Sequence, residues 1–204
     1  MSVGPPTLHV IAGPNGAGKS TLYEAIVRHA ANAVFVNADR LAFDALGHHA
    51  ITQAEAELGQ RLAEECRRRL MSQGQSLVTE STFSHPSKLD LLRDAKRAGY
   101  DVAVWHVNVD SPRLSVERVA FREAQGGHPV PEDRILGRYE RNQPLIREAV
   151  RLADQAMVFD NSRKGAPPRW LITFMDGRVL EVDPDLPDWA ARLYAEDLAG
   201  APGN

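Results

Sequence analysis

"IAGPNGAGKSTL", residues 11–22, is the stretch whose reading decides the fold. Gly13 is followed, after four residues, by Gly18, Lys19 and Ser20, with a hydrophobic run before the loop and a helical run after it. Glycines at 13, 16 and 18 allow successive backbone N–H groups to turn inward around a phosphate, and the following helix points its positive end to the same place. Gly13, Pro14, Asn15, Gly16, Ala17, Gly18, Lys19, Ser20 and Thr21 therefore read as a cradle for the phosphates of a nucleotide. Lys19 has the reach to touch the β and γ oxygens, and the Ser20 hydroxyl is the candidate ligand for Mg²⁺. The motif leaves open where the γ-phosphate goes.

Working outward, β-type runs alternate with helical ones. "LHVIAG" predicts the first strand and residues to about Ala31 the first helix; "AVFVN" (33–37) predicts the second strand. Thr52 and Glu55 have capping-box spacing ahead of a helix to about Gln73. "SLVTE" (76–80) is the third strand, a helix from about Pro86 ends at Gly99, and "DVAVWHVNVD" (101–110) is the fourth strand. Ser111-Pro112 opens a further helix, "QGGHPVP" (125–131) interrupts, and one long helix is expected to about Ala153. "AMVF" (156–159) is the fifth strand; "RWLITFM-DG-RVLEV" reads as a hairpin, followed by a short helix from Pro187 and a frayed tail, "AGAPGN". The expected fold is α/β: a P-loop, three-layer sandwich around a five-stranded parallel sheet, with an Arg-rich helical lid at 112–151 and a C-terminal hairpin and helix at 168–199. The 204 residues are expected to form one domain, or one domain with a small appendage.

Composition narrows the function classes. A net charge of −3 argues against a general nucleic-acid binder, and no segment is apolar and long enough to span a membrane. The single cysteine, Cys66, excludes an intrachain disulfide and fits a reducing cytoplasm; its helical spacing from Leu62 and Leu70 reads as a packed thiol. No signal peptide is visible, and no histidine has neighbours at metal-site spacing.

Ligands of such sheets sit at the carboxyl ends of the strands, so the residues just past each strand carry the chemistry. "VNADRL" brings Asp39 there, able to accept the proton of an incoming hydroxyl or simply to cap the next helix. "VTEST" brings Glu80, and Thr82 beside it, to the same edge. Glu80 suits substrate hydroxyls, an outer Mg²⁺ shell or plain surface exposure. Residues 112–151 hold eight arginines and no lysine. Arg118 and Arg122 are one turn apart, and Arg134, Arg138 and Arg141 share a helical face. Planar guanidinium forks suit phosphoryl oxygens, although the interspersed glutamates also fit a solvated salt-bridged face. An LSGGQ-like signature, a strand ending in Asp-Glu and an NKxD-like base reader are all missing, which favours phosphoryl transfer over a motor or a small GTPase. A nucleotide-switched binding protein that transfers nothing is the reading from another class; it has no need of Asp39.

"GPNGAGKST" (13–21), "NADRL" (37–41), "TEST" (79–82), "RVAFREAQGGHPVPEDRILGRYERN" (118–142) and "VFDNS" (158–162) together resemble the zeta-toxin family of P-loop kinases over roughly residues 7–162. The resemblance implies an enzyme that uses ATP and Mg²⁺ to phosphorylate a small-molecule hydroxyl, in studied members that of UDP-N-acetylglucosamine, under restraint by an antitoxin protein. It implies Lys19 and Ser20 at ATP–Mg²⁺, Asp39 as general base and Glu80 as the substrate-binding acid. Two arginines serve the lid, one from Arg118 or Arg122 and one from Arg138 or Arg141. We take Arg122 and Arg138 as the catalytic pair and Arg118 and Arg141, with Glu80 and Thr82, as substrate-binding. "DNS" (160–162) lies where such kinases approach the adenine. Another nucleotide, a sugar acid or an antibiotic remains an alternative acceptor.

Overall fold

The computed structural model describes residues 4–50, 52–124 and 130–200. Most of the expected lid loop, residues 125–129, lies outside the described residues, as do positions 201–204 of the expected tail.

Seven strands form one sheet among the described residues: β1 (Thr7–Ala12), β2 (Val34–Val36), β3 (Leu77–Ser81), β4 (Asp101–Asn108), β5 (Gln155–Asp160), β6 (Arg169–Met175) and β7 (Arg178–Val182), in the order β2-β3-β1-β4-β5-β6-β7. The first five are parallel, with β1 at their centre between β3 and β4. The expected hairpin is not a separate appendage: β6 pairs antiparallel with β5 and extends the same sheet. It covers the edge that β5 would otherwise expose. Its turn places Asp176 and Gly177 at φ 50° and 70°, the two positive values that a tight two-residue hairpin turn requires.

The helices are α1 (residues 19–30, with a π turn over Tyr23–Val27), α2 (Ala38–Leu46), α3 (Gln53–Ser72), α4 (Ser87–Arg97), α5 (Pro112–Ala124), α6 (Glu132–Arg141), α7 (Gln143–Leu152), α8 (Asp188–Leu193) and α9 (Ala195–Ala199). The Thr52–Glu55 capping box forms in both directions at the start of α3. The single long helix expected up to Ala153 is instead two, divided at Asn142. Pro144 lacks the N–H that would bond the Glu140 carbonyl, and its ring crowds that carbonyl, so the helix restarts with Pro144 in the first turn of α7.

Helices cover both faces of the sheet. On one, Leu8, Val10, Val104, Val158 and Phe174 join Leu92, Ile146, Trp189 and Tyr194; on the other, Ile11, Val78, Trp105, Val107 and Phe159 meet Leu22 and Val27 of α1. Each such fully buried aliphatic side chain is worth about 1.5–3 kcal/mol over exposure. Cys66 is half-buried against the first cluster. The C-terminal helices belong to that core. His106 Nδ1 lies 2.8 Å from the Tyr194 hydroxyl, and burial pushes the imidazole down to about 3, so it is neutral at pH 7. The carboxylate of Asp197, almost fully buried, is gripped by Arg147 Nε and Arg151 Nε at 2.7 Å each. Among the described residues no helix is long and apolar enough to cross a membrane.

Candidate active site

The chain leaves β1 at Ala12 and turns through the glycine loop into α1. Gly16 and Gly18 have φ 77° and 91°, values that a side chain resists, and the loop has little space for one. A Cβ on Gly16 would sit 2.4 Å from the Ser115 carbonyl of α5; one on Gly18 would sit 2.0 Å from Asn161 Nδ2. Asn161 donates that nitrogen to the Ala17 carbonyl at 2.9 Å, so the end of β5 braces the loop from outside. Gly18 has no side chain with which to cap α1, which leaves the N–H groups of the first turn available to an anion.

Lys19 folds back over the loop, its Nζ donating to the carbonyls of Gly13 and Pro14 at 3.1 and 3.2 Å. Burial pushes the ammonium below its ordinary range; the charges of Glu80 and Asp39 oppose that shift, and those of Arg122 and Arg138 add to it. Four side chains from four other elements thus act electrostatically on Lys19. Glu80, at the end of β3, is half-buried. Burial raises its carboxyl above the ordinary value, Lys19 and Arg122 pull it back, and Asp39 raises it further. Asn37 Nδ2 donates to Glu80 Oε1.

Asn37 also settles the capping question. Its side-chain oxygen accepts the Arg40 N–H at 2.9 Å and caps α2; Asp39 lies exposed in the first turn and is not the cap. An asparagine between a strand and a helix is a cap signal that sequence reading passed over in favour of Asp39.

The arginines separate. Arg138 Nη1 donates to Asn15 Oδ1 of the phosphate loop at 3.4 Å, and burial followed by the charges of Arg134 and Arg141 depresses its guanidinium. Arg122, from α5, acts on both Lys19 and Glu80. Arg118 turns to the end of β5, where Nη2 donates to the Ser162 carbonyl at 3.3 Å, close enough for Asp160 to act on it. Arg141 is exposed at the end of α6. The structure therefore holds Arg138 at Asn15 of the loop, keeps Arg122 within electrostatic reach of Lys19 and Glu80, and sends Arg118 to the "DNS" turn. There Asp160 accepts from the Ser162 hydroxyl at 2.6 Å and Trp189 Nε1 at 3.1 Å. Thr82 is half-buried, with its carbonyl bonded by Asn142 Nδ2 at 2.6 Å. Asn142 and Asn161 fall within the stretches "RYERN" and "DNS", but as uncharged residues neither was singled out there as a brace.

Among the described residues no group of three or more His, Cys, Asp or Glu could hold a metal ion. A cation at Ser20, exposed in the first turn of α1, would take most of its oxygen ligands from nucleotide phosphates and water, as Mg²⁺ does.

The zeta toxin family model matches residues 2–166. Among solved structures, a chain in the crystal structure of AvrRxo1-ORF1:-ORF2 with ATP superposes with TM-score 0.70 at 17% identity, covering 98% of this chain and 65% of that chain. The PezAT chromosomal toxin-antitoxin system of the human pathogen Streptococcus pneumoniae gives TM-score 0.56 at 16% identity, covering 100% and 82%. A putative kinase from Chloroflexus aurantiacus J-10-fl gives 0.54 at 21%, covering 68% and 80%. The chain thus spans about two thirds, 65%, of the length of the AvrRxo1 chains it matches. No curated protein matches it in sequence. At these identities the likeness is one of fold.

Proposed function

The chain belongs to the zeta toxin family, and from that premise we propose that it is an ATP-dependent kinase moving the γ-phosphate onto a hydroxyl of a small molecule. The observation that carries the reading is the convergence on Lys19 of two carboxylates, Glu80 and Asp39, and two arginines, Arg122 and Arg138. A nucleotide-binding loop alone needs the lysine; only transfer needs a carboxylate for the acceptor and cations that follow the moving group.

In this reading the β- and γ-phosphates displace the Gly13 and Pro14 carbonyls from Lys19. Arg122 and Arg138 present planar donors to the equatorial oxygens of the phosphoryl group in flight. Ser20, with the nucleotide phosphates, would hold Mg²⁺, which would supply positive charge against the charge that develops during transfer. The acceptor oxygen bonds to the γ-phosphorus as the bond to the β–γ bridging oxygen breaks; ADP leaves with that electron pair, and Asp39 takes the hydroxyl proton. Glu80, oriented by Asn37, accepts hydrogen bonds from neighbouring acceptor hydroxyls. Arg118 and Ser162 flank the side on which the nucleotide base would lie, while Thr82 and Arg141 complete the acceptor side. The AvrRxo1 structure with ATP supports the choice of nucleotide.

For the acceptor, family membership makes a UDP-activated amino sugar, UDP-N-acetylglucosamine, the first candidate. The PezAT toxin-antitoxin system and the two-component AvrRxo1-ORF1:-ORF2 structure support a toxin restrained by a partner protein, which this reading places in the cytoplasm. The decisive experiment incubates the protein with ATP–Mg²⁺ and either UDP-N-acetylglucosamine or fractionated bacterial metabolites, then reads the gain of a phosphate by mass spectrometry. Acceptor-dependent ADP release supports the kinase. Nucleotide binding with no phosphorylated product in any fraction would establish the nucleotide-switched binding protein instead.

A further inference from the structure

Phe83 has φ 50° with a fully buried ring, a left-handed conformation that bulky side chains avoid. A residue keeps such a conformation only where its surroundings over-determine it, and such sites cluster where position matters for function. Here both polar atoms of the Thr82–Phe83 peptide are held. The Phe83 N–H donates to Ser81 Oγ at 3.0 Å, and the Thr82 carbonyl accepts Asn142 Nδ2 at 2.6 Å. Because the partner is a carbonyl, the nitrogen of the Asn142 amide must face it.

Asn142 is fully buried at the junction of α6 and α7, and its own N–H donates to the Arg138 carbonyl at 3.1 Å. On the opposite flank of the same strip, the Ser81 carbonyl accepts the N–H of Gly13, the first residue of the phosphate loop, at 3.2 Å. One buried amide therefore links the helix that carries Arg138 to the strip that carries Glu80 and, through it, to the cradle.

We propose that Asn142 is a positioning residue, whose clamp on the Thr82–Phe83 peptide sets Glu80 and Arg138 in register across the transferring phosphoryl group. The proposal rests on the kinase reading. A residue that merely fills the core would weaken folding when replaced and leave the kinetics of the folded enzyme alone.

The test uses Asn142→Asp, which keeps the shape but sets a carboxylate against the Thr82 carbonyl, and Ser81→Ala, which opens the clamp at its other end. Each is expected to lower kcat by about tenfold or more and to raise the KM of the acceptor, with affinity for a non-hydrolysable ATP analogue within about twofold of wild type. The double variant should lose little beyond the worse single one, because both remove the same restraint. A readout independent of the reaction is amide hydrogen exchange: in Ser81→Ala or Asn142→Asp the Phe83 amide should speed up far more than that of Val104 in β4. Equal acceleration at Phe83 and Val104, unchanged kinetics in folded variants, or strictly additive losses would each overturn the proposal. Should Asn142→Asp not fold, Ser81→Ala with the exchange measurement decides it. If the wild type phosphorylates nothing, the kinase reading fails, and the exchange experiment still reports whether the clamp exists.

Discussion

Replacing Asp39 by asparagine removes a proton-accepting carboxylate while preserving the side chain's size. The helix it belongs to does not depend on it: the cap of α2 is Asn37, whose oxygen holds the Arg40 N–H at 2.9 Å, and Asp39 is exposed in the first turn. The structural loss is then a charge at the positive end of a helix, worth about 0.3–1 kcal/mol. For a domain of this size that lowers Tm by no more than about 4 °C. The chemical loss should be far larger: a positioned acid or base contributes on the order of 10²–10⁴ in rate, about 2.7–5.4 kcal/mol of barrier. ATP affinity should hold or tighten, since one negative charge near the γ-phosphate disappears. Calorimetric Tm, analogue binding and acceptor-dependent ADP release on one preparation separate these effects; in cells, the variant should also be harmless where overexpression of the wild type is toxic. Transfer at the wild-type rate would refute the assignment and put the base elsewhere. A Tm loss of about 10 °C or more would mean that Asp39 holds structure that the capping geometry assigns to Asn37.

Arg122→Lys and Arg138→Lys keep the charge but lose the planar fork, so kcat should fall about tenfold or more with ATP affinity nearly unchanged; kinetics at both positions within about twofold of wild type would favour a solvated face. Glu80→Gln should raise the acceptor's KM more than that of ATP. Because burial raises the Glu80 carboxyl, the unfolded chain ionises first as pH rises. The wild type therefore loses stability from its ordinary pKa upward to the folded one, a loss that Glu80→Gln escapes and that paired Tm measurements across pH 4–8 would reveal. Gly18→Ala places a Cβ 2.0 Å from Asn161 Nδ2 at φ 91°; the loop should shift, cost about 1–2 kcal/mol or more in stability and lose most ATP binding, as a nucleotide titration would show.

By itself the sequence determined those features whose causes are local. The glycine spacing with its flanking strand and helix specified the phosphate loop, the alternation of apolar runs specified the parallel strands, and Thr52 with Glu55 specified the start of α3. Asp39 and Glu80 were legible because parallel strands deliver their next residues to one edge. Tertiary structure decided what depends on elements far apart in the chain. Only packing of α5 and α6 against the loop turns Arg122 and Arg138 toward Lys19 and sends Arg118, one turn from Arg122, to Ser162. Only the free edge of β5 makes the hairpin part of the sheet. The asparagines at 37, 142 and 161 carry no charge to attract notice, and each bonds partners that the chain alone does not reveal: the Glu80 carboxylate and the Thr82 and Ala17 carbonyls. A short-range pattern fixes backbone conformation residue by residue, whereas the direction in which a long side chain reaches is fixed by whatever the fold sets in front of it.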